Sequence, residues 1–344
     1  MNVGIINVTG YAGMELVRLL YQHPGVKLTS VSGRSAVGKK LAEYAPTLAE
    51  YDLPIKPELE GSLDLVFSAL PHQASAEALL PFIKKGVKVI DIAADFRLKD
   101  PAGYKTWYAF DHPAPELLAE AVYGIPELKR KQVASSRIVA NPGCYPTSAI
   151  LAMAPAMKHG LIVPDVIVDS KTGISGAGRT LTLETHFAEA DENVSAYALN
   201  GHRHLPEITQ ELKELNPKLN PTVTFVPHLI PMTRGILSSC YATLAEGKFA
   251  SPDKAKAEIR DIYADFYKGE PFVKVTATPP QTKQTQGVNL CLVYPTVDVR
   301  TNRLIVISCI DNLVKGAAGQ AIQNMNLMLG LEETAGLRML PMYP

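Results

Sequence analysis

Cys144 sits in the run Asn141-Pro142-Gly143-Cys144-Tyr145-Pro146-Thr147, after the apolar stretch Arg137-Ile138-Val139-Ala140 and before an apolar helical pattern from Thr147 to His159. A thiol at such a strand-to-helix switch meets unpaired backbone N–H groups and the positive end of a helix dipole, both of which favour thiolate over thiol. Cysteine also packs well as a small buried hydrophobe. Pro142, Gly143 and Pro146 constrain the backbone around the thiol, which favours a nucleophile over a packing residue. Gly201-His202-Arg203-His204-Leu205-Pro206-Glu207-Ile208 sets His202 and His204 just ahead of a helix, with Glu207 in its first turn. Imidazole titrates near neutral pH and can move a proton to or from a group bonded to Cys144. A lone His-x-His pair makes a poor zinc site, so no metal is expected. Ser170-Lys171-Thr172-Gly173-Ile174-Ser175-Gly176-Ala177-Gly178-Arg179 leaves a strand and becomes a glycine-rich loop with hydroxyls and two cations. That is the chemistry of an anion cradle for phosphate or carboxylate, with a plain surface loop as the other reading.

The scaffold for these groups is a chain of 344 residues, 47% apolar and 20% charged, with zero net charge. Such a chain has room for about two domains and the composition of an ordinary globular protein. No basic run offers a nucleic-acid footprint, and no stretch reaches the roughly 18 apolar residues of a membrane span. A strand pattern begins at Met1 without the charged, apolar and cleavage regions of a signal peptide, so a cytoplasmic protein is expected. Cys240, Cys291 and Cys309 lie in apolar strand-like runs, form no C-x-x-C pair and read as core.

Val3 to Val8 reads as a strand, followed by Thr9-Gly10-Tyr11-Ala12-Gly13 and a helix through Leu20. Strand, glycine turn and helix form the opening of a dinucleotide-binding unit, where backbone N–H groups meet a pyrophosphate. Asn7 stands where the tight turn usually has glycine, and asparagine tolerates a left-handed conformation better than most residues. The second strand, Val26 to Ser32, runs into Gly33-Arg34-Ser35. An acidic residue there would suit NAD, whereas Arg34 with Ser32 and Ser35 suits the extra phosphate of NADP. Strands at Asp64 to Leu70 and Val87 to Ile92 flank Pro71-His72-Gln73 and a helix ending near Lys85. This alternation predicts an α/β fold with a Rossmann-type doubly wound parallel sheet, and it places His72, Asp95 and Arg97 in loops at the carboxyl ends of strands.

After Cys144 the pattern becomes β-rich, with strands near 166–170, 222–226, 236–244, 272–278, 288–299 and 304–310 and helices at 205–215 and 253–267. A second α+β domain on a largely antiparallel sheet is expected. A last helix from about Leu313 to Leu329 carries Gly316-Ala317-Ala318-Gly319, small residues suited to packing on another backbone, expected to be that of the nucleotide domain. The expected division is 1–145 plus 313–344 for the nucleotide domain and 146–312 for the catalytic and dimerisation domain.

NADP, a cysteine, histidines and an anion cradle together fit an acyl group that passes to Cys144 as a thioester, accepts hydride and leaves as an aldehyde, with phosphate as the leaving group. Gly10-Tyr11-Ala12-Gly13, Leu70-Pro71-His72, Ala94-Asp95-Phe96-Arg97, the Cys144 run, Ser175-Gly176-Ala177-Gly178-Arg179, the His202 run and Asp311-Asn312-Leu313-Val314-Lys315-Gly316 resemble, in order along the whole chain, the N-acetyl-gamma-glutamyl-phosphate reductase family. Asn7 departs from that family's glycine. The resemblance implies NADPH-dependent reduction of N-acetyl-L-glutamyl 5-phosphate to the 5-semialdehyde in arginine biosynthesis. It implies Cys144 as nucleophile, with His202 and His204 as acid/base and intermediate stabiliser in either order, and Glu207 orienting one imidazole. Thr9, Gly10, Tyr11, Ala12, Gly13, Ser32, Arg34, Ser35, Pro71, His72 and Asn312 are the cofactor candidates. Arg97, Asn141, Ser170, Lys171 and Arg179 are the substrate candidates, and a homodimer or homotetramer is expected. Competing readings are the carrier-protein-linked reductase of lysine biosynthesis, aspartate-semialdehyde dehydrogenase and a non-catalytic NADP sensor.

Overall fold

Short apolar runs closed by glycine or polar turns form the strands of the first sheet in the computed structural model, which describes residues 1–342. β1 (Asn2–Ile6), β2 (Lys27–Ser32), β3 (Ile55–Lys56), β4 (Leu65–Ser68), β5 (Lys88–Asp91), β6 (Val122–Tyr123) and β7 (Ile138–Ala140) lie in the order β3-β2-β1-β4-β5-β7-β6. Every neighbouring pair is parallel. Val3, Ile5, Val66, Phe67, Val89 and Ile90 are fully buried, as in strands covered on both faces. α1 (Tyr11–Tyr21), α2 (Leu41–Tyr44), α3 (Ser75–Lys84), α4 (Pro101–Tyr108) and α5 (Pro126–Ser135) connect the strands, and the late helix Gly319–Met328 packs on α5 and β5. The expected doubly wound sheet is therefore present. It forms one compact unit, Met1–Gly143 with Ala317–Met339.

The first strand ends at Ile6, earlier than its apolar run, because Asn7 turns the chain with φ +62°. The Asn7 amide holds that left-handed turn by donating to the Ala69 carbonyl at 2.8 Å. Gly13, one turn into α1, packs so closely on the turn that a Cβ there would lie 2.7 Å from the carbonyl oxygens of Asn7 and Val8. Residues 99–137 carry no clear period; α4, α5 and β6 form here, and an aromatic cluster of Tyr104, Tyr108, Phe110 and His112 gathers along α4 and just beyond it.

The second unit runs from Cys144 to Gly316 and takes in residues 340–342. β8 (Ile162–Gly173), β9 (Ser195–Ala196), β10 (Thr222–Ile230), β11 (Ile236–Leu244), β12 (Val273–Val275), β13 (Cys291–Asp298) and β14 (Arg303–Ile310) are ordered β12-β13-β14-β11-β8-β10-β9. The pairs β8–β11, β11–β14, β13–β14 and β9–β10 are antiparallel, while β8–β10 and β12–β13 are parallel. The helices are α6 (Cys144–Lys158), α7 (Phe187–Ala190), α8 (Leu205–Leu215) and α9 (Pro252–Phe266), of which α6 and α9 pack on the sheet. Cys291, Val293 and Val297 are buried on that face, while Ile167, Val226, Tyr241, Tyr294, Ile305 and Ile307 on the other stay half-exposed.

Helix α6 is apolar all round, as a helix buried on every side must be. Ile150, Leu151, Met153 and Met157 are fully buried, and each such side chain contributes about 1.5–3 kcal/mol. A chain of buried hydroxyls ties it to the sheet, with Ser148 Oγ 2.9 Å from both Ser238 and Ser308 and Ser170 Oγ 2.7 Å from Ser238. Packing and hydroxyls together hold the first turn of α6 at one place relative to the strands.

Two expectations are corrected here. The last helix is not continuous from Leu313, because a π-turn at Val314–Ala318 precedes the α-helix Gly319–Met328. Gly316 packs on Cys144 of its own unit, while Ala317, Ala318 and Gly319 fall in the first unit.

Candidate active site

Because α6 begins at Cys144 itself, the thiol stands at the positive end of that helix's dipole. Cys144 is partly exposed, whereas Cys240, Cys291 and Cys309 are buried. Burial pushes the thiols of Cys240 and Cys309 up to about 12, which leaves them protonated and inert. The next residue, Tyr145, meets His202, His204 and Phe225 edge-on, with ring centroids at 5.8, 6.0 and 5.2 Å. Its hydroxyl donates to the His228 carbonyl and accepts from the Tyr197 hydroxyl, both at 3.2 Å. Burial above all, with a contribution from the Cys144 thiolate, raises the Tyr197 phenol to about 12. Tyr197 thus lies within electrostatic reach of the thiol.

The structure separates the two histidines. His202 Nδ1 accepts the backbone N–H of His204 at 3.0 Å, so the proton of the neutral ring resides on Nε2. Burial, and then the charge of Arg203, hold His202 down to about 4. At neutral pH it is an uncharged ring with an Nε2–H to donate. His204 is the N-cap residue of α8, its ring centroid 4.7 Å from that of His202. Glu207 is wholly buried in the first turn of that helix.

The anion cradle is reshaped. β8 continues to Gly173, so Ser170 and Lys171 are ladder residues on opposite faces and not parts of a loop. The Ser170 hydroxyl is fully buried against Ser238. Lys171 Nζ is 2.7 Å from Asp169, whose other oxygen lies 3.2 Å from His228 Nδ1. Arg179 is exposed just after Gly178. The Asn312 amide accepts from Gly235 N at 2.8 Å and donates to Ser175 Oγ at 2.9 Å, which anchors the start of the π-turn.

In the first unit the sequence candidates gather at the β1–α1 turn. Thr9 Oγ1 lies 3.5 Å from both Asn7 Oδ1 and Ser35 Oγ. Gly10 caps α1, and its first turn, with Tyr11, Ala12 and Gly13, holds no acidic side chain, which suits an approaching pyrophosphate. Asn7, Ser32, Gly33 and Arg34 line a cavity of ≈ 390 Å³ together with Glu58 and Lys85. The sequence did not single out those last two, which lie outside any motif. Pro71 is exposed and His72 half-buried, the His72 ring 5.8 Å from Tyr108. Asp95 fixes their loop by accepting from the backbone N–H groups of Gln73, Ser75 and Ala76 at 2.8–2.9 Å. Burial first, and then Asp95, raise its neighbour Asp91 to about 7. Arg97 is buried and clamps the carbonyls of Ile92 and Asn141, each at 2.8 Å. Asn141 is fully buried, donating to the Ala317 carbonyl and accepting from Asn324 at 3.1 Å. Asn141, like Ser170, thus has a structural use for its side chain that its sequence position did not disclose.

A doubly wound parallel-sheet unit followed by a thiol-bearing α+β unit defines a class. Residues 2–136 match the semialdehyde dehydrogenase NAD binding domain and residues 144–312 the semialdehyde dehydrogenase dimerisation domain. Among solved structures, aspartate semialdehyde dehydrogenase II of Vibrio cholerae superposes with a TM-score of 0.72 at 15% identity, over 96% of this chain and 98% of that one. The Candida albicans aspartate semialdehyde dehydrogenase gives 0.69 at 17%, over 95% and 98%. At such identities the likeness is one of fold. N-acetyl-gamma-glutamyl-phosphate reductase of Dehalococcoides mccartyi is 59% identical over 99% of this chain and 98% of its own. The enzymes of that name from Pelotomaculum thermopropionicum, 50% identical over 100% and 99%, and Geobacter metallireducens, 46% over the full length of both, extend the match. The chain belongs to the N-acetyl-gamma-glutamyl-phosphate reductase family.

Proposed function

We propose that the chain reduces N-acetyl-L-glutamyl 5-phosphate with NADPH to N-acetyl-L-glutamate 5-semialdehyde and phosphate, a step of arginine biosynthesis, through a thioester on Cys144. The observation that carries this reading is the partly exposed thiol at the first residue of α6, beside the Tyr145–His202–His204 ring cluster. The thiolate, favoured by the helix N-terminus, attacks the acyl carbon and expels phosphate. When bound, NADPH supplies the hydride that reduces the thioester carbonyl. The neutral His202 donates its Nε2–H to the oxygen on which negative charge develops. Collapse of the thiohemiacetal re-forms the carbonyl, releases the aldehyde and returns the electron pair to sulfur. His204 is assigned the proton transfer, and Glu207 the orientation of the histidine segment. Arg179 is the substrate-anion candidate that stays exposed.

The cavity beside Asn7, Ser32 and Arg34 fits a dinucleotide's adenosine end, and two of its lining side chains, Arg34 and Lys85, are cations. Arg34 would meet the 2′-phosphate of NADP. Arg34→Ala is expected to raise the KM for NADP⁺ by about 10- to 100-fold, the worth of a charge-assisted contact, and to leave that for NAD⁺ nearly unchanged. Equal effects on both cofactors would remove Arg34 from this role.

No helix among the described residues is long and apolar enough to cross a membrane; a cytoplasmic location is part of the proposal. The half-exposed apolar face of the second sheet would pair with a second copy, giving a homodimer or homotetramer. Sedimentation should then return a multiple of 37.3 kDa, and a monomer at assay concentration would contradict the pairing.

The deciding assay is NADP⁺ reduction with N-acetylglutamate 5-semialdehyde and phosphate, beside aspartate semialdehyde. Phosphate-dependent turnover of the first is expected. Preference for the second would move the chain to the shorter substrate, and activity with neither would favour the carrier-linked or sensor readings.

A further inference from the structure

A Cβ built on Gly316 would stand 2.8 Å from Cys144 Cβ, 3.2 Å from Cys144 Cα and 3.3 Å from the Asp311 carbonyl oxygen. The π-turn produces this approach. Gly316 N donates to Asp311 O at 2.9 Å, a bond spanning one residue more than an α-helical turn, and so widens the backbone toward α6. The turn is pinned at its start. Asp311 Oδ1 accepts from Leu313 N at 2.8 Å and Val314 N at 3.1 Å, its Oδ2 accepts from Gly287 N at 2.7 Å, and Asn312 is held by Gly235 and Ser175. The helix that Cys144 opens is itself tied to the sheet one turn further on, where the buried Ser148 hydroxyl meets Ser238 and Ser308. With both backbones anchored, neither side can yield easily to an added methyl group.

We propose that Gly316 is a positioning residue for the nucleophile: the hydrogen-only Cα of a widened helical turn packs against Cys144 and sets where the thiol stands relative to the first N–H groups of α6. Any side chain at 316 pushes on the Cα and Cβ that carry the sulfur. This rests on Cys144 being the nucleophile.

The test compares the wild-type chain, Gly316→Ala, Cys144→Gly and the double variant. Removing the Cys144 Cβ takes away the nearest clash, so Gly316→Ala should lower the melting temperature by several degrees with Cys144 present and by less than half as much in the Cys144→Gly background. In the Cys144 background, Gly316→Ala should cut kcat by about 10- to 100-fold, the effect of a small misplacement, with KM for NADP⁺ and aldehyde within about threefold. The rate of iodoacetamide alkylation at Cys144 and its pH dependence should shift as well, a change that a merely structural glycine would not produce. Folding of the double variant where Gly316→Ala alone fails would support the proposal. Equal destabilisation in both backgrounds, failure of both to fold, or unchanged kcat and alkylation would overturn it. The melting comparison reads the contact without activity, so an active Cys144→Ala enzyme would remove the nucleophile reading separately.

Discussion

Replacing Cys144 with alanine is expected to lower turnover by about 10⁴-fold or more, while NADP⁺ binding stays at the wild-type level. A loss of that size corresponds to about 5.5 kcal/mol of transition-state stabilisation, far more than a packing change at a partly exposed side chain can produce. Cys144 is the first residue of α6 and makes no part of the cavity lined by Asn7 and Arg34, so the two effects should separate cleanly. No other thiol can substitute, because Cys240 and Cys309 are held protonated by burial and Cys291 is buried at 3.5 Å from Ser308 Oγ. Steady-state assay with isothermal titration of the cofactor checks both halves, and retention of even a tenth of the wild-type rate would exclude covalent catalysis by this residue.

Changing His202 to alanine should reduce kcat by about 10²- to 10³-fold, the cost of removing one donor to a developing oxyanion. The pH dependence gives this assignment its sign. With His202 held down to about 4 by burial and Arg203, the ring is already neutral throughout pH 5–9. Any activity change in that range belongs to another group, and the variant should keep the wild-type profile at its lower rate. A wild-type acid limb between pH 5 and 7 that vanishes in His202→Ala would instead make this histidine the titrating acid/base and return the donor role to His204.

Much of this arrangement is legible in the amino-acid sequence. The strands of the first sheet are apolar runs with sharp polar ends, and burial on both faces needs little more. Asn7 could be read as the left-handed turn residue because few side chains tolerate that conformation, and it adopts φ +62°. The helix Leu205–Leu215 fell where its period placed it, behind His204. Other features depend on contacts distant in sequence. Ser170 ends the apolar strand pattern 166–170 and reads as the first hydroxyl of an anion cradle, yet β8 runs on to Gly173 because β11 pairs with it to Thr172, and the alternation turns Ser170 inward. Arg97 and Asn141 read as available for substrate, but Arg97 binds the carbonyls of Ile92 and Asn141 at the ends of β5 and β7, and the Asn141 side chain binds that of Ala317. Tyr197 carries no motif at all and acquires its place by donating to Tyr145. The π-turn at Val314–Ala318 has no sequence period, since its widened bond follows from how Asp311 and Asn312 are held.

The most direct test of the thioester is mass spectrometry of the intact chain and its peptides. The enzyme would first be mixed, without NADPH, with N-acetylglutamyl phosphate generated in situ. The structure predicts a single acyl adduct on the peptide containing Cys144, formed with release of phosphate and discharged when NADPH is added. An enzyme that turns over normally yet carries no adduct, or carries it on another residue, would contradict the central claim.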